Sequence, residues 1–174
     1  MPPRHPGSTN PTSPHLVPSL ILPLFIICRI LSLCRIHTVH GDLFTCPPTS
    51  SLGHCVSADL KMTRGIAQRF RNTFGCIDEL HSQSPQVGSV VFLKHHGIYI
   101  YYIVTKEVFY QKPQTYDYYT AINAFRDLTR VHNITELAIP RLGCGLDHIP
   151  PSTFYSILSA IFNDDPITIT VYVL

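Results

Sequence analysis

The chain has 174 residues, 45% of them hydrophobic, and a net charge of +2 from thirteen Lys and Arg against eleven Asp and Glu. That length buries one substantial core and would leave two independent domains short of apolar surface. So small a charge supplies no basic field for nonspecific nucleic-acid binding, and any nucleic-acid contact has to rest on local chemistry.

Residues 1 to 15 are rich in Pro, Ser, Thr and His and lack apolar periodicity. Such a composition cannot offset its own ordering entropy, which predicts a disordered leader. The run Leu16 to Cys34 (LVPSLILPLFIICRILSLC) is apolar enough to resemble a signal sequence or anchor, preceded by the lone basic Arg4. Pro18 and Pro23 interrupt any helix there, Arg29 lies inside the span, and no small-x-small cleavage site follows. Three readings stay open: a secretory or membrane-targeting segment, an organelle transit peptide, or translated sequence outside the working protein. Membrane contact follows only if the 16 to 34 segment is a true targeting element. The division is therefore a leader at 1–34 and one folded domain at 35–174.

Arg35 to Val39 reads as an apolar strand that runs into the turn His40-Gly41-Asp42, and Ser51 to Val56 as a second strand after a loop forced by Pro47 and Pro48. Ile66, Ala67, Phe70 and Phe74 recur at helical spacing after Gly65, with Gly75 as a stop and Arg69 and Arg71 turned to water. Ser89 to Leu93 and Ile98 to Val104 form a hairpin with His95, His96 and Gly97 at its tip, and Lys106 lies just beyond. Tyr118, Ile122, Phe125 and Leu128 mark a helix from Tyr116 to His132, and Glu136 to Ile139 a short strand stopped by Pro140. The irregular Arg141 to Asp147 follows, then Pro150-Pro151, a helix through Phe154, Ile157, Leu158 and Ile161, and a buried strand from Ile167 to Leu174. Interleaved in this way, the elements predict a three-layer α/β/α domain around a central mixed sheet.

Cys28, Cys34, Cys46, Cys55, Cys76 and Cys144 show no CxxC pair and no Cys/His quartet, which predicts buried free thiols in a reducing compartment. No metal is expected, and His95-His96 reads as a hairpin tip.

Open α/β sheets bind ligands at the carboxyl ends of their strands, where unpaired N–H groups open the following helices. Three loops qualify: His40 to Leu43, Asp59 to Ile66 (DLKMTRGI) and Arg141 to Asp147 (RLGCGLD). Gly143 and Gly145 permit backbone turns that bring successive N–H groups to a phosphate, though their spacing matches neither the Walker nor the dinucleotide fingerprint. Taken singly, Asp42 reads as a turn or cap residue, Lys106 as a solvated lysine beside Glu107, and Asp147 as a shield for the next helix start.

Together HGDLF (40–44), LGHCVSADLKM (52–62), RGIAQRF (64–70), YIYYIVTK (99–106), ELAIPRLGCGLD (136–147) and ITVYVL (169–174) resemble one family. It is the macrodomain family of terminal ADP-ribose protein glycohydrolases and O-acyl-ADP-ribose deacylases, and the likeness runs in order from Arg35 to Leu174. The resemblance implies that Asp42 recognises the adenine amino group. It also implies ADP-ribose contacts at Leu43, Ser57, Gly65, Ile66, Arg141, Leu142, Gly143, Cys144, Gly145, Leu146 and Leu174. Lys106 and Asp147 occupy the places of its catalytic lysine and aspartate. Lys106 would attack the anomeric carbon of the distal ribose after the acyl chain is released, with Asp147 as general base helping to resolve the intermediate. A lysine must lose its proton to act as a nucleophile, and the end of an apolar strand with a carboxylate in reach favours that.

The resemblance further implies a monomeric hydrolase without a cofactor. Its partners would be ADP-ribose, O-acetyl-ADP-ribose and proteins ADP-ribosylated on Glu or Asp, with ADP-ribosylated DNA as a further substrate. It implies the nucleus and cytoplasm, the DNA damage response and purine nucleoside metabolism as the setting, unless the apolar leader directs the chain elsewhere. The alternative is a non-catalytic ADP-ribose reader, which would need neither Lys106 nor Asp147. The sequence departs from the family where a Gly-rich run is usual: it reads Met62-Thr63-Arg64-Gly65. Arg64 either adds charge to the phosphate or distal-ribose site or points into solvent, and substrate choice turns on which.

Overall fold

A computed structural model of the chain describes Met1 and residues 34–174. The leader and its apolar run at 2–33, Cys28 included, lie outside the described residues. Among the described residues no helix is long and apolar enough to cross a membrane.

Six strands form one sheet: β1 (Arg35–His40), β2 (Ser51–Ser57), β3 (Val90–His95), β4 (Ile98–Lys106), β5 (Glu136–Pro140) and β6 (Thr168–Val173). Their order is β1-β6-β5-β2-β4-β3. Among the described strands only β3 runs antiparallel to its neighbour, β4. Among the described residues four helices cover the sheet: α1 (Gly65–Phe74), α2 (Ile77–Ser82), α3 (Thr115–Val131) and α4 (Pro151–Phe162).

The alternation of side chains along each strand divides the core into two layers. Tyr101 and Ile103 of β4, Leu137 and Ile139 of β5 and Ile169 and Val171 of β6 pack against Tyr118, Ile122 and Phe125 of α3 and Phe154 and Leu158 of α4. The intervening residues, Ile100, Tyr102 and Val104 of β4 with Leu52 and Val56 of β2, meet Phe70 of α1 and Leu80 of α2 on the other face. This is the three-layer arrangement expected from the sequence, and covering both faces explains why β4 and β6 read as nearly continuous apolar runs.

Arg69 and Arg71 are exposed on α1, as expected, and each also has a partner: Arg69 forks the Asp42 carboxylate, and Arg71 Nη1 donates to the Lys61 carbonyl at 2.6 Å. Two other local features depart from expectation. The described thiols are free, but they are not buried as a set. Cys34, Cys46, Cys55 and Cys144 are half-buried, and Cys76 is exposed in a left-handed turn (φ 52°) between α1 and α2. Helix α2 was not expected: its apolar contribution to the core is Leu80, on a helix of six residues. The hairpin tip is as read, with His95 paired to Ile98 and both His96 and Gly97 at positive φ.

Candidate active site

Because β1, β6, β5, β2 and β4 are parallel, their carboxyl ends share one edge of the sheet. Strands lie about 4.8 Å apart, so the four steps from β1 to β4 separate their ends by about 19 Å. A cavity of about 670 Å³ runs along this edge. It is lined by the residues the resemblance singled out: Asp42 and Leu43 after β1, Ser57 at the end of β2, Gly65 and Ile66 at the start of α1, Lys106 at the end of β4, Arg141 to Asp147 after β5, and Leu174 after β6.

Lys106 owes its position to an irregularity. Cys55 pairs with Ile103 and Val56 with Val104, but Ser57 pairs with Lys106, so Thr105 is an extra residue in β4. This bulge reverses the alternation and turns Lys106 away from the face that Val104 shares with α1 and α2. Nζ of Lys106 lies 2.5 Å from Oδ1 of Asp147, and both side chains are 11% exposed. Asp147 does not cap α4, which begins on Pro151 without any side-chain cap. The pair thus brings an amine and its proton acceptor together where little water reaches.

The Arg141 to Asp147 loop is held from beneath. Tyr118 Oη donates to the Leu142 carbonyl at 3.0 Å, and Ile149 N–H closes on the Gly143 carbonyl at 3.0 Å. Gly143 sits at φ 72°, and a Cβ there would lie 2.7 Å from Ile149 Cδ1 and 3.2 Å from Tyr118 Cε2. Only glycine satisfies both the backbone and the space. Burial pushes the Cys144 and Cys55 thiols of this wall upward from their ordinary pKa, which favours the thiol over the thiolate.

Asp59 joins two further loops: its Oδ1 accepts from Ser57 Oγ at 2.5 Å and from Lys61 N–H, and its Oδ2 from Phe109 N–H at 3.2 Å. Residues Phe109 to Lys112 consequently line the cavity beside Lys106. Sequence reasoning missed this fourth loop, although it also connects the carboxyl end of a strand to a helix. It missed Tyr118 as well, whose phenol is buried under the glycine loop and carries no motif. Arg64 lines the cavity as the residue before α1, whose first turn has no side-chain cap and leaves its N–H groups open to the cavity.

At the β1 end, Asp42 caps the short 3-10 turn Leu43–Thr45 by accepting from Phe44 N–H at 3.1 Å. Arg69 donates from Nη1 and Nη2 to its two oxygens at 2.9 and 2.8 Å. These hydrogen bonds, with that from Phe44, hold the Asp42 carboxyl below its ordinary pKa. Among the described residues no group of three His, Cys, Asp or Glu is arranged to hold a metal ion.

No family model matches the chain. Among curated proteins it is 40% identical over 140 residues to human ADP-ribose glycohydrolase OARD1, covering 80% of this chain and 92% of that protein. The macrodomain of Mycobacterium tuberculosis DarG superposes with a TM-score of 0.72 at 18% identity, covering 79% of this chain and 96% of that one. Thermosipho africanus DarTG, solved in complex with ADP-ribose, matches with a TM-score of 0.70 at 18% identity, over 79% of this chain and 41% of its own. The structures share the fold, and the curated relative shares sequence across nearly its whole length; the chain is a macrodomain and belongs to the ADP-ribose glycohydrolase family that includes OARD1.

Proposed function

We propose that this protein is a hydrolase that binds ADP-ribose along the sheet edge and releases it from acyl-linked acceptors. The observation that carries the reading is the Lys106–Asp147 pair, an amine and a carboxylate 2.5 Å apart and nearly buried at one end of a long cavity. ADP-ribose presents adenine, diphosphate and distal ribose in line. The cavity presents a fixed carboxylate at Asp42, open N–H groups with Arg64 at the start of α1, and then the reactive pair. Backbone N–H groups and a helix N-terminus favour a diphosphate without a large net charge on the protein.

The chemistry follows from these groups. Asp147 takes a proton from Lys106, and the free amine forms a C–N bond at the anomeric carbon as the C–O bond to the acceptor breaks. The electron pair leaves with the acceptor carboxylate, which receives the proton from Asp147. Water then adds to the same carbon, Asp147 accepts its proton, and the C–N bond breaks with its electron pair returning to Lys106. Proton transfer from Asp147 to Lys106 restores the ion pair. ADP-ribosylated DNA bases would meet the same cavity end at the anomeric carbon, whereas O-acetyl-ADP-ribose would bring its acyl ester, carried on a distal-ribose hydroxyl, to the same pair for hydrolysis by water activated at Asp147.

The test compares wild type with Lys106→Ala, recording bound ADP-ribose by calorimetry and released product from an automodified acceptor. Turnover is expected to fall by about three orders of magnitude while ADP-ribose affinity stays within a few-fold, because the amine serves chemistry more than binding. Equal product release by the two proteins would remove Lys106 as the nucleophile, and release by neither would leave a binding module without catalysis.

A further inference from the structure

The carboxylate at the β1 end is held in a way its position in the cavity does not require. Asp42 lines the cavity, whereas Arg69, from the middle of α1, stands behind it outside the wall. The guanidinium forks both carboxylate oxygens and lies 4.4 Å above the ring centroid of Phe44. Phe44 itself packs edge-on against Phe70 at 5.1 Å and stacks on Phe74 at 6.2 Å. The cation is thus clamped between an aromatic platform and the carboxylate, a geometry only the planar arginine fork satisfies.

We propose that Arg69 is a positioning residue that selects the base: it turns Asp42 into a fixed, single-direction acceptor that takes an exocyclic amino group and rejects a carbonyl. The proposal rests on the ADP-ribose reading above and adds to it a residue and a selectivity. A carboxylate offers about four in-plane acceptor directions. Oδ1 spends two on Phe44 N–H and Arg69 Nη1, and Oδ2 spends one on Arg69 Nη2. One direction on Oδ2 remains. An adenine amino group satisfies it, whereas the carbonyl of hypoxanthine sets oxygen against oxygen and leaves the acceptor empty. Without Arg69 the carboxylate is held by Phe44 N–H at Oδ1 and loses the hold on Oδ2, and its side chain, already 36% exposed, can turn toward water. Asp42 then loses the direction that distinguishes the two bases.

The experiment measures Kd by calorimetry for ADP-ribose and for inosine diphosphate ribose with wild type, Arg69→Met and Arg69→Lys, alongside thermal melting and kinetics on O-acetyl-ADP-ribose. Methionine keeps the apolar cover on Phe44, and lysine keeps the cation but not the fork. Wild type is expected to prefer ADP-ribose by about tenfold or more, and Arg69→Met to lose most of that preference through weaker ADP-ribose binding. In kinetics the loss appears in KM rather than kcat, which general loosening of the fold would not produce. Arg69→Lys is expected to fall between the two, and it carries the test should the methionine variant fail to fold. An unchanged ADP-ribose preference in the folded variants overturns the proposal while leaving the ADP-ribose reading intact. Absence of ADP-ribose binding by wild type removes that reading and the inference with it.

Discussion

Each end of the cavity holds a cation against a carboxylate, yet the two pairs live in different solvents. Lys106 and Asp147 are 11% exposed, whereas Arg69 and Asp42 are 45% and 36% exposed. Burial strengthens electrostatic interaction and makes an unpartnered charge costly, so the buried pair can be poised for proton transfer and cannot lose a member cheaply. An exposed pair contributes little net stability, and what remains to it is geometry: the direction in which a carboxylate offers its oxygens. The same pairing therefore supports chemistry at one end and recognition at the other.

The sharpest way to break this contrast is to remove one carboxylate from each end. Asp147→Ala leaves the Lys106 ammonium without its partner in a site of low exposure and is expected to cost about 2 kcal/mol of stability in a denaturant titration, together with turnover. Asp42→Ala, which removes an exposed pair and the cap on Phe44 N–H, is expected to cost less stability than Asp147→Ala and mainly to weaken ADP-ribose binding. Equal losses of stability in the two variants would show that burial does not separate the ends.

A second pair of substitutions tests how rigidly the buried end is built. Gly143→Ala puts a methyl 2.7 Å from Ile149 Cδ1 at φ 72°, whereas a Cβ at Gly145 meets nothing within 4 Å among the described residues. The first is expected to destabilise by about 1–3 kcal/mol and to slow turnover by displacing the loop that carries Asp147. The second is expected to stay within about 0.5 kcal/mol. A tolerant Gly143 would mean that Asp147 needs no such support.

The smallest effect concerns the core under the open end. His54 stacks on Phe70 at 3.9 Å, neither of its ring nitrogens has a hydrogen-bond partner among the described residues, and burial pulls its pKa from 6.5 down to about 3. Between those values the unfolded chain binds a proton that the folded state refuses, so stability falls as pH drops from about 6.5 toward 3. Melting temperatures followed from about pH 7 to about pH 5 should decline, and His54→Phe should flatten part of that slope. An identical slope in the variant would place the acid sensitivity elsewhere, in the carboxylates.

Much of this is legible in the sequence. The β-branched run of β6 marked a buried strand, the apolar β4 one arm of a hairpin, and the Phe70 and Phe74 spacing marked α1. The three loops at strand ends located the cavity because the carboxyl edge of a parallel sheet is where helix N-termini open. Helix α2 was not legible: six residues make less than two turns, and packing of Leu80 rather than local propensity holds them. Arg69 looked like a solvated residue on the polar face of α1, since nothing in its neighbourhood along the chain names Asp42, 27 residues away. The Phe109 to Lys112 wall was likewise hidden, because Asp59 draws it in from 50 residues away along the chain.

Local pattern and motif identity, then, were properties of the sequence alone: element types, the layer order, and which side chains could carry chemistry. Tertiary structure alone decided how those side chains are aimed. An added residue at Thr105 reverses the alternation before Lys106, and loop closure over Tyr118 brings Asp147 to it from 41 positions downstream. Periodicity reports which face a residue occupies only while the ladder stays regular. Where a bulge or a distant ion pair breaks that regularity, direction is set by contacts that no stretch of chain contains by itself.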